Sequence, residues 1–100
     1  MMDERFRLLS YLHAHKARFR NDFGVTEIGL IGSIARGEAN PESDVDLIVE
    51  FAPGTQQLFE KKNRLCAELE TAFGRPVDLV RKRFLKPYYR DHILAEAVYG

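Results

Sequence analysis

The sequence has little of what marks several large protein classes. It contains a single cysteine, Cys66, which excludes an internal disulfide and a zinc site built from several cysteines. No apolar run is long enough for a signal peptide or a membrane span, so we expect a cytoplasmic protein with no membrane partner. The 15 basic residues balance the 15 acidic ones, so no overall field attracts nucleic acid directly.

The remaining composition indicates one globular domain over residues 1–100. Hydrophobic residues make up 45% and charged residues 30% of the chain, which is the balance of a soluble domain. Its core is modest at this length, so association with a partner would help to bury apolar surface. The charges are also unevenly placed, because an acidic centre (Glu38, Glu42, Asp44, Asp46, Glu50) precedes a basic flank (Arg75, Arg81, Lys82, Arg83, Lys86, Arg90). This distribution suits a metal and a polyphosphate better than a DNA duplex.

The spacing of apolar residues predicts the order helix, strand, short helix, strand, helix, strand, helix. The first helix is marked by Phe6, Leu9, Leu12, Phe19 and Phe23, with one missed turn. Strands are predicted at 25–31, 44–51 and 77–80, and a second long helix by Leu58, Leu65, Leu69 and Phe73. A turn is expected at Asn40-Pro41, and Pro87 can open a last helix that carries Ile93, Leu94, Ala97 and Val98 inward. This order predicts an α/β or α+β domain with a small sheet of three or four strands.

The segment 32–46 reads GSIARGEANPESDVD and ends in two aspartates separated by one valine. In a strand, residues two apart point to the same face, so Asp44 and Asp46 are expected to project together. Two ionised carboxylates this close repel each other unless a cation lies between them. Mg²⁺ prefers such oxygen ligands, which makes the pair a candidate metal site.

Gly32 and Ser33, at the other end of this segment, form a candidate phosphate site. A glycine at a strand end lets the backbone approach a ligand closely, and Ser33 stands where a helix N-cap is favoured. The free N–H groups of a helix start and the serine hydroxyl can both bind phosphate oxygens. A short helix and a turn between the two ends would bring the aspartates back beside Gly32.

Asp78 is a third candidate, because it interrupts the apolar phrase RPVDLV, which is expected in the middle or at the edge of the sheet. A carboxylate buried in a strand is costly unless it is paired or binds a metal. If this strand lies beside the one that carries Asp46, three carboxylates meet, which is an arrangement for two-metal phosphoryl or nucleotidyl transfer. The alternative is a simple ion pair of Asp78 with Arg75 or Arg81.

Gly32-Ser33, followed after ten residues by Asp44-Val45-Asp46 and later by Asp78, resembles the minimal nucleotidyltransferases of the polymerase-β superfamily. The phrases GSIARGEANPESDVDLIVEF and RPVDLV, with the ending ILAEAVYG, are similar to those of antitoxins that pair with HEPN toxins. The resemblance implies a polymerase-β-like fold with a small mixed sheet flanked by helices. It also implies Mg²⁺-dependent transfer of AMP from ATP to a tyrosine hydroxyl of a cognate HEPN ribonuclease toxin, which inactivates the toxin in a hetero-oligomer.

The same resemblance assigns roles to the candidate residues. Gly32 and Ser33 hold the triphosphate, Asp44 and Asp46 bind two Mg²⁺ ions, and Asp78 completes the catalytic metal site and helps to deprotonate the acceptor. Arg36 steadies the acidic loop or reaches a phosphate, with a surface ion pair to Glu38 or Glu42 as the alternative. Ile34 departs from the arginine or aromatic residue that many relatives carry after the serine.

Two other functions remain open from the sequence. The protein could be a non-catalytic antitoxin that neutralises its toxin by binding alone, with a vestigial metal site. It could also be a homodimeric nucleotidyltransferase that acts on a small molecule. No residue is assigned to reading the adenine base, so the expectation of ATP rests on the resemblance.

Overall fold

Helices and strands alternate along the chain much as the apolar spacing predicts. The computed structural model of the protein describes residues 4–37, 43–85 and 97–99. Its elements in chain order are α1 (Glu4–Ala14), α2 (Lys16–Phe23), β1 (Val25–Ile31), α3 (Gly32–Ala35), β2 (Val45–Phe51), α4 (Leu58–Phe73), β3 (Val77–Arg81), a 3₁₀ turn (Lys82–Phe84) and β4 (Val98–Tyr99). The longest of these helices, α4, has 16 residues, and no described helix combines the length and hydropathy needed to cross a membrane.

The strands form one mixed sheet of four strands in the order β3-β2-β1-β4. β1 pairs antiparallel with both β2 and β4, whereas β3 pairs parallel with β2. A parallel pair needs a crossover between its strands, and α4 supplies it. The predicted small mixed sheet flanked by helices is therefore confirmed.

One face of the sheet carries the core. Along β2 the residues Val45, Leu47, Val49 and Phe51 are buried at every second position. They pack in one cluster with apolar residues of three helices, namely Leu8, Leu12, Phe19, Phe23, Leu65, Leu69 and Phe73. Because side chains alternate along a strand, Asp46, Ile48 and Glu50 of β2 point to the opposite face.

The first predicted helix is divided in two. α1 ends at Ala14 and α2 begins at Lys16, with His15 between them. The break lies between Leu12 and Phe19, where the predicted helix has no large apolar residue, and there the His15 ring stacks on Tyr11 at 4.1 Å between centroids. Leu8 is fully buried, whereas Phe6, which marked the predicted helix, is 56% exposed.

The predicted last helix is only partly tested. Pro87, Ile93, Leu94 and the Asn40-Pro41 turn lie outside the described residues. The placement of Val98 in a helix was wrong, because Val98 pairs with Leu30 in β4. β4 crosses Gly29 so closely that a Cβ atom there would lie 3.0 Å from the Val98 carbonyl oxygen.

Candidate active site

The turn from β1 into α3 brings the chain against an aspartate. Gly32, the first residue of α3, has φ +73°, a left-handed conformation that glycine adopts without strain. A Cβ atom at this position would lie 2.6 Å from Oδ2 of Asp46. The close approach of backbone to carboxylate therefore requires glycine, and the two ends of the segment 32–46 meet as expected.

Asp46 lies in the middle of a row of residues that crosses three strands. In the sheet register Ile31 of β1 is opposite Asp46 of β2, and Asp46 is opposite Asp78 of β3. Neighbouring strands are about 4.8 Å apart, and residues opposite each other share a face of the sheet. Asp44 immediately precedes β2, so all three predicted aspartates belong to this end of the sheet.

The three aspartates differ in exposure. Asp46 is half-buried, whereas Asp44 and Asp78 are exposed. The expectation that Asp78 is buried was wrong, because β3 is an edge strand and Asp78 points away from the core. The two arginines that were the alternative ion-pair partners of Asp78 contact glutamates. Arg75 lies against Glu4, with Nε 3.3 Å from Oε1, and Arg81 lies against Glu50, with Nη2 3.1 Å from Oε1.

The electrostatic environment of Asp46 reflects this crowding. Its pKa is raised above the ordinary value, mainly by burial and then by the negative charges of Asp78 and Asp44. The positive charge of Arg36 acts in the opposite direction on the same pKa. Among residues 4–37, 43–85 and 97–99, however, no three carboxylate, imidazole or thiol groups converge closely enough to hold a metal ion.

Ser33 occupies a different position from the one predicted. The N-cap position of α3 is taken by Ile31, which makes no side-chain capping bond, and Ser33 is the second helical residue. The prediction of a serine cap was wrong because the chain turns into the helix already at Gly32. The half-buried Ser33 therefore has no capping role, and α3, with four residues, is too short to add much helix dipole.

The rest of α3 separates a core residue from a charged one. Ile34 is 2% exposed and packs in the core, so the side chain after Ser33 faces inward. Arg36 follows the helix and is exposed. Its predicted alternative partners, Glu38 and Glu42, lie outside the described residues.

Two further residues near this site were not predicted to matter. Glu50, on the same face of β2 as Asp46, accepts hydrogen bonds from Arg81 and Arg83. Arg75 donates to the carbonyl oxygen of Ser43 at 3.2 Å, one residue before Asp44. The alternation of side chains along β2 could have predicted that Glu50 lies on the same face as Asp46. No sequence pattern predicts the contact of Arg75 with Ser43, because it joins residues distant in the chain.

The sequence as a whole also resembles known proteins. Residues 12–99 match the nucleotidyltransferase domain family. The protein adenylyltransferase MntA of Thermococcus cleftensis is 44% identical over 92 residues, which cover 90% of this chain and 89% of that protein. A chain of Methanocaldococcus jannaschii, assigned as a protein adenylyltransferase, is 36% identical over 89 residues, 88% of this chain and 89% of its own length.

Solved structures share the fold. A structure assigned as a minimal nucleotidyltransferase superposes with a TM-score of 0.69 at 35% identity, covering 97% of this chain and 95% of that one. A crystal structure of a toxin–antitoxin with AMP-PNP gives a TM-score of 0.66, covering 98% of this chain and 72% of that chain; at 21% identity the likeness is one of fold alone. The chain therefore belongs to the nucleotidyltransferase domain family, as a small member related to protein adenylyltransferases.

Proposed function

We propose that the protein is a protein adenylyltransferase, which transfers AMP from ATP to a hydroxyl group of a partner protein. The observation that carries this proposal is the position of Asp46, against Gly32 on one side and opposite Asp78 on the other. Candidate phosphate-binding and carboxylate residues therefore share one end of the sheet. The 44% identity to a protein adenylyltransferase supports the same chemistry.

The donors at this site fit Mg²⁺. Asp44, Asp46 and Asp78 offer carboxylate oxygens, the ligands that this ion prefers. A divalent cation would also relieve the repulsion that helps to raise the pKa of Asp46. When bound, two Mg²⁺ ions would neutralise charge on the transferred phosphate and on the leaving pyrophosphate.

The chain's own residues would bind and orient the reactants. Gly32 lets the backbone approach the Asp46 carboxylate closely, and the Ser33 hydroxyl, which is not used for capping, is available to a phosphate oxygen of a triphosphate bound beside them. In the transfer, the acceptor oxygen bonds to the α-phosphorus, the bond to the β-phosphate bridge breaks, and pyrophosphate leaves. Asp78, exposed at the sheet edge, would help to take up the proton that the acceptor loses.

The partner in this proposal is a HEPN-domain ribonuclease toxin, modified on a tyrosine hydroxyl and thereby inactivated in the cytoplasm. This part rests on the resemblance of the phrases around Gly32, Asp44 and Asp78 to antitoxins of that kind. A toxin–antitoxin crystal structure that shares the fold is in keeping with it. The expected assembly is a hetero-oligomer of antitoxin and toxin.

Mass spectrometry of the protein encoded by the neighbouring gene tests the proposal directly. After incubation with this protein, ATP and Mg²⁺, we expect a mass gain of one or more AMP units on a tyrosine. The control is the double variant Asp44→Ala, Asp46→Ala, which should give no gain. A gain that persists in the control would place the chemistry elsewhere.

The second candidate is a non-catalytic antitoxin that works by binding alone. Among the described residues no group of three ligands converges on one point, so binding alone is the alternative against which catalysis is tested. The same experiment separates the two. If wild type and double variant both silence the toxin and neither adds AMP, the protein acts by binding.

A further inference from the structure

Arg75 joins the segment before Asp44 to the first turn of α1. Its Nη1 donates a hydrogen bond to the Ser43 carbonyl oxygen at 3.2 Å, and its Nε lies 3.3 Å from Oε1 of Glu4. The side chain of Arg75 is only 15% exposed. One planar guanidinium, which can donate in two directions at once, thus bridges the helix and the aspartate segment.

The residue after Arg75 holds the same segment from the other side. The Val45 amide donates to the Pro76 carbonyl oxygen at 2.9 Å. Ser43 and Val45, the two neighbours of Asp44, are therefore both attached to the dipeptide Arg75-Pro76. This dipeptide leads directly into β3, which carries Asp78.

Asp44 itself lies at the margin of the sheet. It is exposed and lies outside the strand pairing, which begins at Val45. Its negative charge repels that of Asp46 and helps to raise the pKa of Asp46. The hydrogen bond from Arg75 to the Ser43 carbonyl oxygen holds the backbone against this repulsion, one residue before Asp44.

We propose that Arg75 is a positioning residue that fixes the backbone at Asp44, so that its carboxylate stays beside Asp46 for a divalent cation. The inference rests on the proposed function of this site and deepens it, because it assigns the geometry of the cation site to a residue that touches no reactant. Contacts of this kind around metal ligands typically change metal affinity by about 10–100-fold.

Glu4 orients the guanidinium. Its Oε1 accepts from Arg7 Nη2 at 2.7 Å and faces Arg75 Nε. Its pKa is lowered, first by the hydrogen bond from Arg7 and also by the charges of Arg7 and Arg75, against the effect of burial. Arg7 shares this carboxylate but reaches the Phe73 carbonyl oxygen instead of Ser43, which makes it a matched control.

The test compares the full-length variants Arg75→Gln, Arg75→Lys and Arg7→Gln with wild type. The readouts are the Kd for Mn²⁺, measured by electron paramagnetic resonance without ATP or partner, the Mg²⁺ concentration for half-maximal AMP transfer, and the melting temperature. We expect Arg75→Gln to weaken Mn²⁺ binding about tenfold, with a similar shift in the Mg²⁺ requirement. Arg75→Lys keeps the positive charge but loses the planar guanidinium that donates in two directions, so it should weaken Mn²⁺ binding less. Arg7→Gln should weaken Mn²⁺ binding by less than about twofold.

The other outcomes separate the inference from a purely structural role and from the proposed function. If Arg75→Gln and Arg7→Gln lower the melting temperature equally and leave Mn²⁺ binding unchanged, Arg75 is only structural. Should the glutamine variant not fold, Arg75→Lys takes its place in the same comparison with Arg7→Gln. If wild type binds no Mn²⁺ without ATP but still transfers AMP, the inference fails and the proposed function stands, because substrate phosphates can complete the coordination of the ion. Metal binding that depends on Arg75 without any AMP transfer would support the inference and contradict the proposed function.

Discussion

Asp46 and Glu50 are two carboxylates of one strand with opposite environments. Both lie on the face of β2 away from the core, and both are half-buried. The pKa of Asp46 is raised by burial and by the negative charges of Asp78 and Asp44. The pKa of Glu50 is lowered, even though burial alone would raise it.

The difference comes from the hydrogen bonds that each carboxylate accepts. Oε1 of Glu50 accepts from the Phe51 amide at 3.2 Å and from Arg81 Nη2 at 3.1 Å. Its Oε2 accepts from the Arg83 amide at 3.2 Å. Glu50 thus ties β2 to the 3₁₀ turn after β3, whereas Asp46 faces two other carboxylates and the backbone of Gly32.

A carboxylate whose partners stabilise its charge contributes to the fold, and one whose neighbours destabilise it is a candidate for function. Both residues are half-buried and burial acts to raise the pKa of each, so burial does not explain the opposite directions of their pKa shifts. The surrounding charges do. The comparison therefore predicts that neutralising each side chain affects stability and activity in opposite ways.

The largest expected effect is on activity. Asp46→Asn should lower the rate of AMP transfer by at least about 100-fold, because in the proposed mechanism it removes a charge that would hold the metal ion against the reacting phosphate. Glu50→Gln should keep the rate within about threefold, because Glu50 lies outside the site. Transfer to the partner is measured by mass spectrometry under saturating ATP and Mg²⁺.

The effects of the same two variants on stability should be reversed, and urea unfolding measures them. Glu50→Gln should lower the free energy of unfolding by about 1–2 kcal/mol, since charge-assisted hydrogen bonds are lost. Asp46→Asn should leave it unchanged or raise it by up to about 1 kcal/mol. A loss of stability in both variants, with activity reduced to the same extent, would remove the distinction between them.

Gly32→Ala has the next largest effect. An alanine there carries a left-handed backbone cost of about 1–2 kcal/mol, and its Cβ would lie 2.6 Å from Asp46 Oδ2. Displacing this carboxylate should lower AMP transfer by about tenfold or more. Activity and the free energy of unfolding are measured side by side.

Gly37→Ala is the matched control. Gly37 has φ +75°, and no atom of the described part of the chain lies within 4 Å of a Cβ atom there, so this variant carries the backbone cost without a contact with Asp46. We expect a comparable loss of stability with activity nearly retained. If both alanine variants lose activity equally, the contact between Gly32 and Asp46 has no functional role.

Much of the sheet and of the candidate site is predictable from the sequence, because it depends on local patterns. Alternation along 44–51 predicts which residues of β2 face the core, and an aspartate in an apolar phrase predicts that Asp78 has a role beyond packing. The sequence does not predict that β3 pairs with β2. The register that places Asp78 opposite Asp46 came from the fold.

The features that could not be predicted depend on tertiary contacts. Asp78 is exposed because β3 is an edge strand, which no pattern within RPVDLV reveals. The contact of Arg75 with Ser43 joins residues 32 positions apart. Ser33 fits a capping pattern, but the left-handed turn at Gly32 begins the helix one residue earlier.

The pH dependence of stability sharpens the contrast between Asp46 and Glu50. Because the folded-state pKa of Glu50 is lowered from 4.5, its contribution to stability is present above pH 4.5 and is lost as pH falls through the folded-state pKa. Because the folded-state pKa of Asp46 is raised from 3.8, its ionisation destabilises the fold progressively as pH rises from 3.8 through the folded-state pKa, and the cost is constant above that.

Urea unfolding between pH 3 and pH 7 checks both signs. The stability advantage of wild type over Glu50→Gln should shrink towards low pH. Any advantage of Asp46→Asn over wild type should instead grow as pH rises. Parallel curves for all three proteins would show that neither carboxylate changes its pKa on folding.

Ser33→Ala gives the smallest expected effect and extends the same contrast to a neutral side chain. If the hydroxyl binds a phosphate oxygen, its loss should raise the KM for ATP by about 2–10-fold, the worth of one hydrogen bond. Stability should change by less than about 0.5 kcal/mol, because Ser33 is not the cap of α3. A loss near 1 kcal/mol, the usual cost of removing a serine N-cap, with an unchanged KM would mean that Ser33 supports the helix and binds no phosphate. Ser33 would then resemble Glu50, a residue of the fold, more than Asp46.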